Sequence, residues 1–267
     1  MSKIGWTDET WNPVTGCSPI SEGCENCPAK RTAKGLRGRF GYPDDDPFAV
    51  TPKPDVLTRP LHWKRPRKVR VCSMGDIAHT DVPRDFFLDI WMMMRRCSQH
   101  TFTLLTRRPI GLLALIRWAK TAEARANGTD EEQETPSNIW VGISAENQKR
   151  FNERIPVLVQ IPAAVKFVSL DPMIGPVSLT RRACLGCGKD VCDCPIESGL
   201  TFRDDRPGMQ GLYWPMDRVI CGVESDPKRR AAMSPGVADV KEQCRDAGIQ
   251  FHPRGPEFGQ DNSMKSC

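Results

Sequence analysis

Five short runs rich in apolar and β-branched residues recur along this chain, at 69–73, 101–106, 138–143, 166–170 and 218–222, and each runs into a polar loop. Runs of that length bounded by turn residues read as strands. Helical patterns alternate with them. Pro83 stands where a first helical turn tolerates it, and Phe87, Ile90, Trp91, Met94 and Cys97 recur at helical spacing, which marks the methionines there as core residues. A second helix follows the loop Arg107-Arg108-Pro109 and runs to about Arg125, and a third helical stretch follows Asn147. The last helix has Ser234 as cap, Pro235 at its first position, Val237, Val240, Cys244 and Ala247 on one face, and Gly248 as its stop. This alternation predicts an α/β fold with a parallel sheet and right-handed crossovers.

Ligands of such sheets bind at the C-terminal ends of the strands. The candidate site residues are therefore Ser73, Met74, Gly75 and Asp76 after the first run, Thr106, Arg107 and Arg108 after the second, Ser144, Glu146 and Asn147 after the third, 169–172 after the fourth, and Gly222 with Glu224 after the fifth. A single Ser or Glu at a strand end is ordinarily a turn or cap residue. Five such ends converging on one rim make a site.

Ahead of the first run lies a loop with Cys17, Cys24 and Cys27. Thiolates are the soft ligands of iron-sulfur clusters and of zinc, and three of them leave one metal position open. Gly16 and Gly23 let the backbone fold closely around a bulky inorganic core. Spacing alone leaves three readings open, a cluster, zinc completed by His62, His79 or a later cysteine, or reduced structural thiols. A second group, Cys184, Cys187, Cys192 and Cys194, falls within an interruption at 179–213 and is spaced to wrap a structural zinc, with free surface thiols or pairing to Cys221 or Cys267 as the alternatives. Twelve cysteines clustered in this way point to metal in a reducing compartment rather than to disulfides.

The chain has 267 residues and a net charge of +5, which fits one larger domain or a domain with an insertion and permits an anionic partner without requiring one. Basic groups cluster at 64–68, Arg107-Arg108, 181–182 and 228–230, each an ordinary solvated surface by itself. Lys30, Arg31, Arg107 and Arg108 fall near the rim, where they are candidates for contacts to nucleic-acid phosphates. No apolar run approaches the roughly 20 residues of a membrane span, and the N-terminus has no signal-peptide core, so a soluble, cytoplasmic protein is expected.

Several motifs in a fixed order resemble those of the phage three-cysteine-motif proteins. These are Trp11-Asn12-Pro13-Val14-Thr15-Gly16-Cys17, Ser21-Glu22-Gly23-Cys24-Glu25-Asn26-Cys27, Ser73-Met74-Gly75-Asp76 with Asp81-Val82-Pro83, Leu105-Thr106-Arg107-Arg108-Pro109, Gly142-Ile143-Ser144-Ala145-Glu146-Asn147, and Gly222-Val223-Glu224-Ser225, together covering about 3–250. That family is similar to the radical S-adenosylmethionine superfamily. The resemblance implies a partial (β/α)6, TIM-like barrel over 1–178 and 214–255, with 179–213 as a Cys-rich insertion and 256–267 as a tail. It also implies a [4Fe-4S] cluster on Cys17, Cys24 and Cys27 with S-adenosylmethionine on the fourth iron. By position, Ser73 to Asp76 would hold the cofactor's amino group, Ser144, Glu146 and Asn147 would face its ribose, and Gly222 with Glu224 would lie near adenine or substrate, with Thr106 beside them. Pro28 stands where the nearer family commonly has tyrosine. The activity implied is isomerisation of N-linked glycinyl-thymidine to its C-linked form during thymidine hypermodification of phage DNA, in the host cytoplasm, with a flavodoxin or ferredoxin as electron donor. A lesion lyase of the spore-photoproduct kind and a non-enzymatic zinc module binding nucleic acid are the alternatives.

Overall fold

The computed structural model describes residues 7–129, 134–180, 213–222 and 234–254. Cys184, Cys187, Cys192, Cys194, Glu224 and the 256–267 tail lie outside the described residues. In chain order the elements are β1 (Glu9–Trp11), β2 (Val14–Thr15), α1 (Pro28–Gly35), β3 (Thr51–Pro52), β4 (Lys68–Val71), α2 (Arg84–Arg96), β5 (Thr101–Thr106), α3 (Pro109–Ala126), β6 (Ile139–Ser144), α4 (Gln148–Leu158), β7 (Val165–Leu170), β8 (Arg218–Gly222), α5 (Ser234–Asp246) and β9 (Gln250–Arg254).

Seven strands form one sheet in the order β1-β4-β5-β6-β7-β8-β9, and every pairing is parallel. Parallel neighbours need crossovers, which α2, α3, α4 and α5 supply between β4 and β7 and between β8 and β9. The sheet curls into a half-barrel. It has seven strands where the resemblance implies six. The five predicted strands are present, and β1 and β9, at the two edges, are additional.

Alternation along the strands decides what faces the core. In β4, Val69 and Val71 are buried while Arg70 between them is not fully so. Phe87, Ile90, Trp91 and Met94 of α2 are fully buried in the same core, as the helical spacing predicts. Val237, Val240, Cys244 and Ala247 are likewise buried, and Gly248 stops α5 at a φ of 66°. Trp11 of β1 is fully buried, with its ring 5.7 Å from that of Phe102, and its indole N–H donates to the Val56 carbonyl. Thr180 bridges Tyr213, so the two ends of the 179–213 interruption meet beside the sheet.

Candidate functional site

The cysteine loop lies on the C-terminal ends of the strands because two glycines let it. Gly16 pairs with Gly75 in a parallel bridge, and a Cβ on Gly75 would sit 2.7 Å from the Gly16 carbonyl oxygen. Gly16 has a φ of 85°, and a Cβ there would meet the Ala49 carbonyl oxygen at 2.0 Å. Asn12 adds a side-chain tie, its Oδ1 accepting from the Ser73 hydroxyl at 3.0 Å and the Met74 amide at 3.1 Å. Ser73 therefore spends its donor on the protein. Met74 packs with Cys17, Cys27, Ala29 and Leu36 against a small second core of Ala33, Tyr42 and Phe48 under the loop. Pro28 opens α1 directly after Cys27, at a position where its missing N–H costs nothing.

Glu146 anchors the other side of the loop. It is 1% exposed, and its carboxylate accepts from Arg154 at 2.9 Å and from the Gly23 amide at 3.2 Å. Arg154, also buried, donates as well to the Ser144 carbonyl. Burial pushes the Glu146 pKa up, but the Ser21 hydroxyl, Arg154 and Arg107 more than offset it and hold the carboxyl below its ordinary range. Gly23 sits close against this carboxylate, since a Cβ there would lie 3.0 Å from the Glu146 carboxyl carbon and would press on it. Asn147 is the N-cap of α4, its side chain accepting from the Arg150 amide. Of the three residues read as facing a ribose, Glu146 and Asn147 thus have structural partners, and Ser144 lines the cavity.

Arg107 and Arg108 are committed within the site. Arg108 donates to Cys17 Sγ at 3.2 Å, to Asp76 Oδ2 at 3.2 Å, and to the Ser18 carbonyl and hydroxyl at 2.8 and 3.0 Å. Arg107 reaches the Gly23 carbonyl and approaches Glu146 at 3.9 Å. Asp76, 5% exposed, accepts from the Thr106 hydroxyl at 2.7 Å and from the amides of Ala78 and Arg107. This carboxylate joins the loop after β4 to the loop after β5. His79 has both ring nitrogens in use, Nδ1 accepting from the Asp81 amide and Nε2 meeting the Ser18 hydroxyl at 2.7 Å. Burial, and after it Arg108, lower the His79 pKa, which favours the neutral ring. His62 is exposed and away from the cavity.

Cys17, Cys24 and Cys27 line one cavity, together with Ser73, Gly75, Asp76, Thr106 and Ser144 from the predicted strand ends. All three are free thiols of intermediate burial. Burial, and after it Asp76, raise the Cys17 pKa. The other described cysteines, Cys72, Cys97, Cys221 and Cys244, are buried, and Cys221 packs against the Met173 sulfur. Among the described residues no three His, Cys, Asp or Glu side chains converge on one ion position. A cluster binds its thiolates through separate irons and does not require them to converge.

Ser169, Asp171 and Pro172 of the fourth predicted strand end line the cavity as well, and they are joined there by two residues outside the predicted set, Arg70 and Arg254. Arg254 pairs with Asp171. Gly222 makes room for that pair, since a Cβ there would lie 3.1 Å from both Asp171 Oδ1 and Arg254 Cβ. Lys30 on α1 lines the cavity, while Arg31 on the same helix is exposed and does not. The alternation around Arg70, a basic residue between two buried valines, was the available signal for its inward position. Arg254 gave none, because Pro253 disguises its strand.

Fold and site define a class: a parallel α/β half-barrel with a cationic, three-thiol cavity at the C-terminal ends of its strands. The chain belongs to the family described as "Protein of unknown function (DUF5131)", which it matches over residues 1–265. No curated protein and no solved structure matches it. No helix among the described residues is long and apolar enough to cross a membrane.

Proposed function

We propose that this protein is a radical S-adenosylmethionine enzyme that modifies a nucleobase of DNA, isomerising N-linked glycinyl-thymidine to the C-linked form. One observation carries the reading: Cys17, Cys24 and Cys27, on the loop after the first strand of a parallel half-barrel, line a single cavity over the C-terminal strand ends. The donor set fits the cofactor. Three soft thiolates hold a [4Fe-4S] cluster and leave one iron for S-adenosylmethionine. When bound, this pair supplies one-electron cleavage of the sulfonium and a carbon radical that removes hydrogen from the substrate.

The chain's own residues bind and orient. Arg108 donates to the Cys17 sulfur, a contact of the kind that sets cluster potentials. Glu146 and Arg154 hold Gly23, and with it the turn that carries Cys24. Lys30, Arg70, Arg107, Arg108 and Arg254 against Asp76 and Asp171 make the cavity wall cationic, which favours an anionic substrate. A thymine in a duplex must leave the stack to enter such a cavity. Lys30, at the rim, is then placed to meet flanking phosphate, and a flavodoxin or ferredoxin would supply the electron.

The test begins with anaerobic reconstitution, in which iron and sulfide should be retained and then lost on changing Cys17, Cys24 or Cys27 to Ala. Reduced enzyme with S-adenosylmethionine and DNA carrying glycinyl-thymidine should give a nucleoside of unchanged mass and altered retention. Stoichiometric zinc without iron in every preparation sinks the radical reading. Formation of 5′-deoxyadenosine with the DNA untouched sinks the isomerase reading alone.

A further inference from the structure

The cavity has a basic shoulder. Directly after Cys27, α1 carries Lys30, Arg31 and Lys34, and the turn that follows carries Arg37 and Arg39, all five exposed and with no acidic residue between 28 and 43. Lys30 lines the cavity. Next in the chain stands Phe40, 78% exposed, the most exposed large apolar side chain among the described residues.

A lone apolar residue at a surface is ordinary, but the backbone of this one is not. Phe40 has a φ of 53°, in the left-handed region that bulky side chains rarely adopt. Gly38 and Gly41 beside it, at 65° and 73°, are the residue type such a turn favours. Lys53 holds the turn in place, its ammonium donating to the Phe40 carbonyl at 2.6 Å and lying 4.4 Å from the centroid of the Tyr42 ring. The Gly38 amide donates to the Tyr42 carbonyl and the Tyr42 amide to the Arg39 carbonyl, while the Arg39 guanidinium donates to the Gly35 carbonyl at the end of α1. Glycine at position 40 would relax the backbone and take the ring out of water. Phenylalanine there serves neither stability nor solubility, which leaves recognition.

The turn is tied to the cavity through the small second core, where Tyr42 and Phe48 pack with Cys17 and Cys27, and Phe48 itself lines the cavity. The eight residues of α1 span about 12 Å, so a strand with one nucleotide in the cavity reaches the turn within roughly three or four more. Cations hold phosphates without reading sequence, and an aromatic ring offers its face to any base. Asp44, Asp45 and Asp46 follow the turn and are exposed as well, with Asp46 Oδ1 accepting from the Phe48 amide. A flat anionic membrane would press on these acids and the cations together, whereas a strand crosses the shoulder along a line.

We propose that Phe40 is a stacking platform for the substrate strand: a base a few nucleotides from the one held in the cavity lies on its ring, and Lys34, Arg37 and Arg39 hold the phosphates beside it. The assignment rests on the reading of the protein as an enzyme acting on DNA.

The experiment measures binding of a short DNA single strand carrying one glycinyl-thymidine to the reconstituted protein and its variants. Phe40→Gly should weaken binding about tenfold, the loss expected for one stacked base, while the melting temperature stays level or rises because the strain is gone. Phe40→Trp should keep the affinity, and Lys34→Gln with Arg37→Gln should weaken binding and flatten its dependence on salt. A Phe40→Gly protein that binds as tightly as the parent overturns the platform, and so does a parent that binds no strand. A melting temperature that falls together with the affinity shows the ring to be structural and overturns it too. Phe40-dependent binding to anionic phospholipid vesicles, or a Phe40-dependent dimer in sedimentation, with the strand unaffected by Phe40→Gly, moves the surface to a membrane or to a second copy. Iron content is measured in parallel, so strand binding that needs Phe40 in a protein holding no cluster keeps the platform and loses the radical reading, and a cluster protein whose strand binding ignores Phe40 does the reverse.

Discussion

Glu146→Gln isolates the contact on which the cysteine loop hangs. The native carboxylate meets the Arg154 guanidinium at 2.9 Å and the Gly23 amide at 3.2 Å, and both charged side chains are nearly sealed from solvent, at 1% and 5% exposure. Glutamine keeps one carbonyl acceptor, so one of the two bonds survives, but the buried guanidinium loses its counter-charge. Breaking a buried pair by removing one partner costs about 3–5 kcal/mol, and the surviving acceptor reduces the cost here to about 2–4 kcal/mol. For a chain of this size that corresponds to a fall of roughly 4–12 °C in melting temperature. The loop should loosen at the same time, so that Cys24 and Cys27 in metal-free protein are alkylated faster, while buried Cys97 is not. Glu146→Gln with Arg154→Met removes both charges and should recover much of the loss. A melting temperature within about 1 °C of the parent, with unchanged alkylation rates, would refute the anchoring role.

Two further expectations follow from the same geometry. The folded pKa of Glu146 is held below its ordinary value of 4.5, so its contribution is complete above that value and is lost as pH falls through the lower, folded value. The urea midpoint of the parent should therefore drop on acidification in that window, and the drop should be smaller in Glu146→Gln. At the glycines, Gly16→Ala meets the Ala49 carbonyl at 2.0 Å with a φ of 85° and should cost about 3 kcal/mol or more, whereas Gly128→Ala, with a φ of 68° and open space around it, should cost about 1 kcal/mol. Equal urea midpoints for the two variants would show that φ alone, and not the close approach of the loops, sets the penalty.

Periodicity alone determined the central strands and the helices, because a strand buried beneath helices must be apolar at alternate positions and a helix on a sheet must be apolar along one stripe. That is why 69–73, 101–106 and the face of Val237, Val240 and Cys244 were legible, and why the three thiols of one loop marked the site. The edge strands were not. β1 is three residues long, and β9 contains Pro253, which an edge position tolerates because its missing N–H need not join a ladder on both sides. Residue types also could not say which polar groups serve the cavity and which serve the frame. In the fold Glu146 accepts from the Gly23 amide and Asn147 caps α4, contacts that residue type does not announce, while Arg70 and Arg254, far apart in sequence, line one cavity with Asp171. Only the curl of the sheet brings β4, β7 and β9 to face a common space, and a charge buried there is set by its neighbours across that space rather than by its neighbours along the chain.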